Sequence, residues 1–193
     1  MSAQTDPDPA AYARLREDAI GLLTGWDPPD ADQGALRADF LAHLTANPDA
    51  MARSGPPAHL TASVMVLDAT GGSALLTLHR RARAWFQLGG HYEPGDASVW
   101  GAAAREAREE SGIEGLTVLP EIAQLDRHVL AGDFGRCREH LDVRFAAVAP
   151  EGAQFEVSDE SLDVRWWPVD GLPGGTAAEL APLVAAARRL TRR

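Results

Sequence analysis

Cysteine, lysine and long apolar runs are the scarce features of this 193-residue chain. Cys137 is the only cysteine, so no intrachain disulfide can form, and a reducing cytoplasm is the expected compartment. All 18 basic residues are arginine, which excludes Schiff-base chemistry on a lysine. The longest apolar runs, such as residues 62–67, are far too short to span a bilayer, and the acidic, proline-containing residues 1–10 do not resemble a signal peptide. We therefore expect no membrane among the partners of this protein.

The charge of the chain is shifted toward acid, with 28 acidic against 18 basic residues and a formal net charge of −10. Such a chain repels a phosphate backbone, so duplex nucleic acid is not an expected partner. An acidic protein still binds an anionic ligand when it holds a divalent cation. The length and the 45% share of hydrophobic residues suit one globular domain with a small appendage.

The period of the hydrophobic pattern changes near residue 55. Apolar side chains recur at helical spacing over residues 11–26 and about 32–46, which predicts a helical hairpin. The later pattern predicts strands at 59–68, 73–80, 85–88, 117–122, 124–130, 140–148 and 164–168, and helices at 98–111 and 176–190. We expect a tail and helical hairpin over residues 1–55 and an α/β domain over residues 56–193. Because two short helices cannot bury both apolar faces between them, the hairpin is expected to pack on the α/β domain or on a second chain.

The predicted helix at 98–111 carries three acids on one face. Glu106, Glu109 and Glu110 are spaced i, i+3 and i+4, and Arg105 and Arg108 lie among them. One interpretation is a solvated surface face, stabilised by the arginines. The other is a site for a hard cation such as Mg²⁺ or Mn²⁺, which prefers oxygen ligands. The spacing alone leaves both open.

The segment around this helix resembles the signature of the Nudix hydrolases. That signature runs glycine, five residues, an acid, a spacer, and then Arg-Glu, an aliphatic, any residue, Glu-Glu, any residue, glycine and an aliphatic. Gly90 and Asp96 fill its first half, and residues 105–113, REAREESGI, fill its second half. The chain departs from it by Asp in place of Glu at 96, by one extra spacer residue and by Ala107; Glu93 is the alternative for the first acid. The likeness extends over about residues 57–172.

The resemblance implies a Nudix-type α/β/α sandwich with a mixed β-sheet and an N-terminal helical extension. It implies Mg²⁺- or Mn²⁺-dependent hydrolysis of a pyrophosphate bond in a nucleoside diphosphate linked to another group. The expected partner is thus a small nucleotide-type diphosphate, and because the family often dimerises, a homodimer is expected. Two alternatives remain open: a non-catalytic nucleotide-sensing or interaction protein on the same fold, and an isoprenoid-diphosphate isomerase-like enzyme, for which Cys137 would have to face a glutamate across the substrate.

Site residues follow from the same resemblance. Glu106, Glu109, Glu110 and the carbonyl of Gly89 are the implied metal ligands. Arg105 is expected to orient a carboxylate, so it joins Glu106 in the catalytic set. The general base is less directly implied; Glu160 is the candidate for base or further metal ligand, and an exposed turn acid is the alternative. The candidates for contact with the substrate come from the residues themselves: the basic Arg80, the aromatic Trp85, His91 of the glycine-rich loop, and Asp142 and Arg144, whose alternation with apolar residues places them on one face of the strand at 140–148.

A second metal set is also conceivable. Cys137 and His140 are close enough to lie in one loop, and His128 with Asp126 or Asp142 would complete a zinc set. Zinc sites normally contain two such short-spaced pairs, and only one is present here.

Overall fold

The structure is a computed structural model that describes residues 9–130, 136–159 and 161–192. Its helices and strands, in chain order, are α1 Pro9–Gly25, α2 Ala31–Ala46, β1 Ala58–Leu67, β2 Ser73–His79, β3 Trp85–Phe86, β4 Leu88–Gly90, α3 Val99–Ser111, β5 Thr117–Val118, β6 Gln124–Val129, β7 Glu139–Val148, β8 Ser161–Pro168 and α4 Ala177–Thr191.

One mixed sheet forms the centre of the molecule. Its strands follow the order β3-β2-β1-β7-β5, with β4 also paired to β1, β6 to β7 and β8 to β2. The long strands β1 and β7 are parallel and in continuous register from Ala58 opposite Glu139 to Leu67 opposite Val148. The other pairings are antiparallel. Both central strands are buried over almost their whole length because helices cover the two faces of the sheet.

The helices divide between those two faces. On one face, α1, α2 and α3 share a continuous core with β1 and β7, whereas α4 packs on the other face through Leu180, Leu183 and Val184. This is the predicted α/β sandwich with a mixed sheet. Within the described residues, no helix is both long and apolar enough to cross a membrane.

The helical hairpin packs on the sandwich of its own chain, which is one of the two expected partners. Leu15, Leu23, Phe40 and Leu44 are fully buried in the shared core. The indole Nε1 of Trp26 donates to the carbonyl of Ile122 at 3.1 Å. The hairpin therefore covers part of the same face of the sheet as α3.

Two predicted strands differ from the structure. The strand predicted at 85–88 is two short strands, because β3 pairs with β2 and β4 pairs with β1, and the chain crosses between them at Gln87. The strand predicted at 117–122 ends at Val118, close to Pro120, which has no backbone N–H to donate to a ladder.

Candidate functional site: an acidic helix face at a cleft

Helix α3 is fixed at both ends by specific contacts. The hydroxyl oxygen of Ser98 accepts a hydrogen bond from the backbone N–H of Gly101 at 3.0 Å, which caps the first turn. Asp18 of α1 accepts from the N–H of Val99 at 2.7 Å, so the hairpin supplies a second cap. At the other end, Gly112 adopts a left-handed conformation with φ of 65°. The helix is thus held firmly enough to position its acidic face.

The three glutamates of α3 differ in exposure. The side chain of Glu106 is 16% exposed and that of Glu109 is 60% exposed. Glu110 is buried, with 9% of its surface exposed, and its Oε2 accepts from the backbone N–H of Gly89 at 2.8 Å. A wholly solvated helix face would leave all three carboxylates exposed. The burial of one of them indicates instead that this face of α3 forms part of a site.

Arg105 connects these acids to the preceding loop. Its Nε and Nη2 donate to the two oxygens of Asp96 at 2.9 and 3.0 Å, and its Nη1 lies 3.0 Å from both Glu106 and Glu109. Its Nη2 also donates to the carbonyl of His91 at 3.1 Å. The hydrogen bond with Asp96, together with the charge of Glu106, raises the pKa of Arg105 above its ordinary value. Asp96 is therefore the acid that binds Arg105, whereas Glu93, the alternative, contributes its backbone N–H to Asp96.

Two glycines allow the strand end to approach α3. A Cβ on Gly90 would lie 2.8 Å from Oε1 of Glu106, so a side chain there would displace the carboxylate. Gly89 has a φ of 152°, and a Cβ there would contact the side chain and backbone of Ser63. The glycine pair thus makes room for the acidic face.

A cleft of about 460 Å³ opens over this face. Its lining includes all three glutamates and Arg105, and it also includes three residues that sequence reasoning missed: Tyr12 of α1, Arg53 of the connector before β1, and Ser158. Arg53 is exposed, so the lining of the cleft combines a cationic side chain with the acidic face of α3. No local motif surrounds these residues; Tyr12 reaches the cleft through the packing of the hairpin, and Ser158 reaches it from the segment before β8.

Asp142 and Arg144 lie in a buried polar network. Asp142 accepts from the hydroxyls of Thr61 and Ser63 at 3.1 and 2.7 Å and from Nε of Arg144 at 2.9 Å. Nη2 of Arg144 donates to Asp126 at 2.8 Å. Neither Asp142 nor Arg144 is among the residues that line the cleft, and their contact with a substrate stays a prediction.

The other candidates for contact with the substrate lie apart from one another. Arg80 donates to the carbonyls of Asp159 and Ser161 at 3.0 and 3.1 Å. Trp85 packs edge-on against Trp167, with ring centroids 5.3 Å apart, in the core on the α4 side of the sheet. Glu160, the candidate base, lies outside the described residues. Of the five candidates, only His91 lines the cleft.

His91 also belongs to a cluster with His59, Cys137 and His140, whose ligand atoms all lie within 4.8 Å of one another. Burial, followed by the charges of His140 and Arg53, lowers the pKa of His91 to about 3. Burial also lowers the pKa of His140 to about 4, so both rings are neutral near pH 7. Cys137 is 5% exposed and lies in this cluster away from the cleft wall, which places it unfavourably for an isomerase that needs a cysteine across the substrate.

The residues at α3 fit a hard divalent cation. Three carboxylates supply oxygen ligands, Arg105 and the Gly89 amide fix their positions, and Gly90 leaves the space beside Glu106 open. Mg²⁺ keeps several waters and binds through few protein carboxylates together with substrate phosphates, which an open cleft permits.

Comparison with known proteins agrees with this architecture. The family model described as the NUDIX domain matches residues 57–192. An Ap4A hydrolase from C. elegans superposes with a TM-score of 0.54 at 19% identity, covering 69% of this chain and 97% of its own. A UDP-X diphosphatase superposes with a TM-score of 0.54 at 14% identity, covering 96% and 97%. The MutT protein from Methanosarcina mazei Go1 superposes with a TM-score of 0.53 at 19% identity, covering 72% of this chain and 98% of its own.

These identities establish similarity of fold, and no functionally curated protein matches the sequence. The family model, however, covers more than half of the chain and includes both the glycine pair and the acidic helix. The chain therefore belongs to the NUDIX domain family.

Proposed function

We propose that this protein is a metal-dependent pyrophosphohydrolase that cleaves a nucleoside diphosphate linked to another group. The observation that carries the proposal is that Glu106, Glu109 and Glu110 all line one cleft. Arg105 donates to Glu106 and Glu109, and the backbone N–H of Gly89 donates to Glu110. A helix face with no function has no physical need for three carboxylates, of which one is buried.

The side chains of the proposed site have two roles, metal binding and positioning. Glu106, Glu109 and Glu110 would hold the cation, and Arg105 would keep Glu106 and Glu109 in place through its 3.0 Å contacts. Asp96 in turn holds Arg105, so it acts as a positioning residue. When bound, Mg²⁺ or Mn²⁺ neutralises charge on the phosphates and lowers the pKa of the attacking water.

Charge supports the same assignment. A chain with a net charge of −10 and a cleft lined by glutamates would repel a diphosphate unless cations were present. Arg53, on the cleft wall, is positioned to contact a phosphate or another anionic group of the substrate. Glu160 remains our candidate for the general base, and its substitution by Gln tests that role.

The helical hairpin suggests which class of substrate to test. The UDP-X diphosphatase aligns with 96% of this chain, so the alignment extends over most of residues 1–55. Tyr12 of this hairpin lines the cleft, so the hairpin contributes to substrate selection. We infer that a uridine diphosphate linked to another group is the first substrate class to test. We propose in addition that residues 1–55 form the appendage of the catalytic domain at 56–193, and that the protein works as a homodimer in the cytoplasm.

A panel assay tests the proposal. Phosphate or nucleotide release, and nucleotide binding, are measured with a nucleoside triphosphate, a dinucleoside polyphosphate and a nucleotide sugar, each with Mg²⁺ and with Mn²⁺. Double-bond isomerisation is measured with isopentenyl diphosphate under the same conditions. Hydrolysis of at least one nucleotide class, lost in Glu109→Gln, is expected. Isomerisation of the isoprenoid diphosphate, or binding of nucleotides without turnover, would contradict the proposal in favour of the two alternatives.

A further inference from the structure

Four side chains that the hydrolase site does not use as metal ligands converge behind the cleft. His59 lies on β1, His91 follows β4, Cys137 precedes β7, and His140 lies at the start of β7. Their ligand atoms are mutually within 4.8 Å, and no other such group of histidine, cysteine and acidic residues occurs in the described ranges. We call these four residues the His/Cys cluster.

The sheet register creates the His/Cys cluster. His59 is the direct partner of His140 in the parallel pairing of β1 with β7, and their ring centroids are 5.2 Å apart. His91 enters from the end of β4, and its Nε2 lies 3.1 Å from Nε2 of His59. Cys137 approaches from the segment before β7. Three separate parts of the chain therefore meet at one point.

The spacing suits a tetrahedral ion. Zinc–nitrogen and zinc–sulfur bonds of about 2.0–2.3 Å imply ligand-to-ligand edges of roughly 3.3–3.7 Å in a tetrahedron. The 3.1 Å contact between His59 and His91 is close to such an edge. All separations between ligand atoms in the His/Cys cluster are within 4.8 Å, so the cluster can close onto an ion with side-chain shifts of about 1 Å.

The orientation of the rings adds an independent observation. Nδ1 of His59 lies 3.1 Å from the carbonyl oxygen of Pro56, which can only accept, so this nitrogen carries the proton. Its Nε2 consequently presents a lone pair toward His91, in the arrangement typical of a metal-binding histidine. Nε2 of His140 is buried and has no hydrogen-bond partner among the described residues, and a metal ion bound at this nitrogen would account for its position.

The ligand types select the ion. Imidazole nitrogen and thiolate sulfur suit zinc and related transition metals, whereas Mg²⁺ and Ca²⁺ prefer oxygen. Four protein ligands leave no open position, which is typical of a structural zinc site. We propose that His59, His91, Cys137 and His140 form a four-coordinate structural Zn²⁺ site, distinct from the cation site on α3.

Such an ion would position the catalytic loop. The carbonyl of His91 accepts from Nη2 of Arg105, the residue that also holds Asp96 and two glutamates. By tying His91 to β1 and β7, the zinc would fix the start of the loop on which Arg105 depends. Zinc would thus stabilise the fold and support the site without contacting the substrate.

Metal analysis tests the inference directly. Full-length protein is purified without added zinc, dialysed against Mg²⁺ buffer, and analysed for zinc by mass spectrometry. One zinc ion per chain is expected in the wild type. Cys137→Ser and His140→Gln should each lose it, because removal of a ligand weakens binding by more than the roughly 10–100-fold effect of an outer hydrogen-bond partner. His128→Gln is the matched control, because its ring lies 5.4 Å from His140 but its Nδ1 is bonded to Asp126.

Cobalt substitution of the wild type supplies a second measurement that needs no variant to fold. Co²⁺ bound to the His/Cys cluster should give a sulfur-to-cobalt charge-transfer band and intense tetrahedral d–d bands. Zinc content that is unchanged in Cys137→Ser, equal loss in His128→Gln, or a cobalt spectrum without the sulfur band would each overturn the proposal. Because none of these readouts uses turnover, they are independent of the hydrolase assignment.

Discussion

Gly90→Ala is the substitution that tests the position of the Glu106 carboxylate most selectively. The added Cβ would lie 2.8–2.9 Å from the three terminal atoms of Glu106, where ordinary contacts begin near 3.4 Å. The carboxylate must therefore move by about 0.6 Å to relieve the contact. Gly90 does not have a positive φ, so its backbone accepts alanine without strain.

The expected effect falls on activity more than on stability. The neighbour that must yield is the far end of a flexible side chain, so we expect a change in unfolding free energy below about 1 kcal/mol. Mg²⁺ demands near-ideal geometry, and a displacement of about 1 Å at a reacting group can cost about 100-fold in rate. A shift of about half that size predicts a decrease in kcat of roughly 10-fold.

Gly95→Ala is the matched control, because Gly95 lies in the same loop and a Cβ there meets nothing within 4 Å. Steady-state turnover with saturating Mg²⁺, and thermal unfolding of both variants, complete the assay. Wild-type kcat in Gly90→Ala would refute the assigned role of Glu106. Equal losses in the two variants would instead assign the effect to loop flexibility.

Three further predictions address the surroundings of the site. Asp96→Asn should lower kcat by roughly 10-fold and stability by about 1–3 kcal/mol, because Arg105 loses a charged partner, whereas Glu93→Gln should leave both nearly unchanged; kinetics and thermal melts of the two variants decide this. Deletion of residues 1–55 should reduce solubility or change the oligomeric state, since it exposes the core under the hairpin, and light scattering would contradict this if the truncated chain stayed monodisperse with the same association state and thermal midpoint. Burial alone would raise the pKa of Asp68, but hydrogen bonds from its turn lower it below the ordinary 3.8; its stabilising contribution is therefore present above that pH and lost as the pH falls through the folded pKa. The thermal midpoint of wild type minus that of Asp68→Asn should thus stay constant from about pH 7 to 5 and shrink below about pH 4, and a difference that grows in acid would contradict it.

The acidic face of α3 could be predicted from the sequence because its residues lie close together along the chain. Glu106, Glu109 and Glu110 belong to one helix, and helical geometry alone brings them to one face. The glycine pair and Asp96 lie within one loop upstream. The structure adds which acid binds Arg105, since that depends on how the extra loop residue is accommodated.

The complete His/Cys cluster could not be predicted from the sequence, because its assembly depends on strand register. His59 and His91 are 32 residues apart and meet only through the pairing of β4 with β1. The zinc set considered from the sequence shared Cys137 and His140 with this cluster, but it contained His128, which is opposite His140 on β6 and bonded to Asp126, in place of His59 and His91. The position of Asp142 likewise depends on register, because it lies opposite Thr61 in the pairing of β7 with β1 and is buried in a hydrogen-bond network with Thr61 and Ser63.

The hairpin shows a similar limit. Its amphipathic helices were predictable from the spacing of apolar residues, but Tyr12 and Arg53 reach the cleft only because the hairpin packs beside α3. Their contribution to the site arises from tertiary packing, for which the chain offers no local motif.

Turnover as a function of Mg²⁺ concentration, compared between wild type and Glu110→Gln, tests the central claim most directly. The wild type should be inactive after thorough chelation and should regain activity in a saturable manner as Mg²⁺ is added. Glu110→Gln, which keeps the size of the side chain, should remain folded by circular dichroism and lose about 100-fold or more in kcat. Undiminished hydrolysis after chelation, or wild-type turnover in Glu110→Gln, would contradict the assignment of the acidic face of α3 as the catalytic cation site.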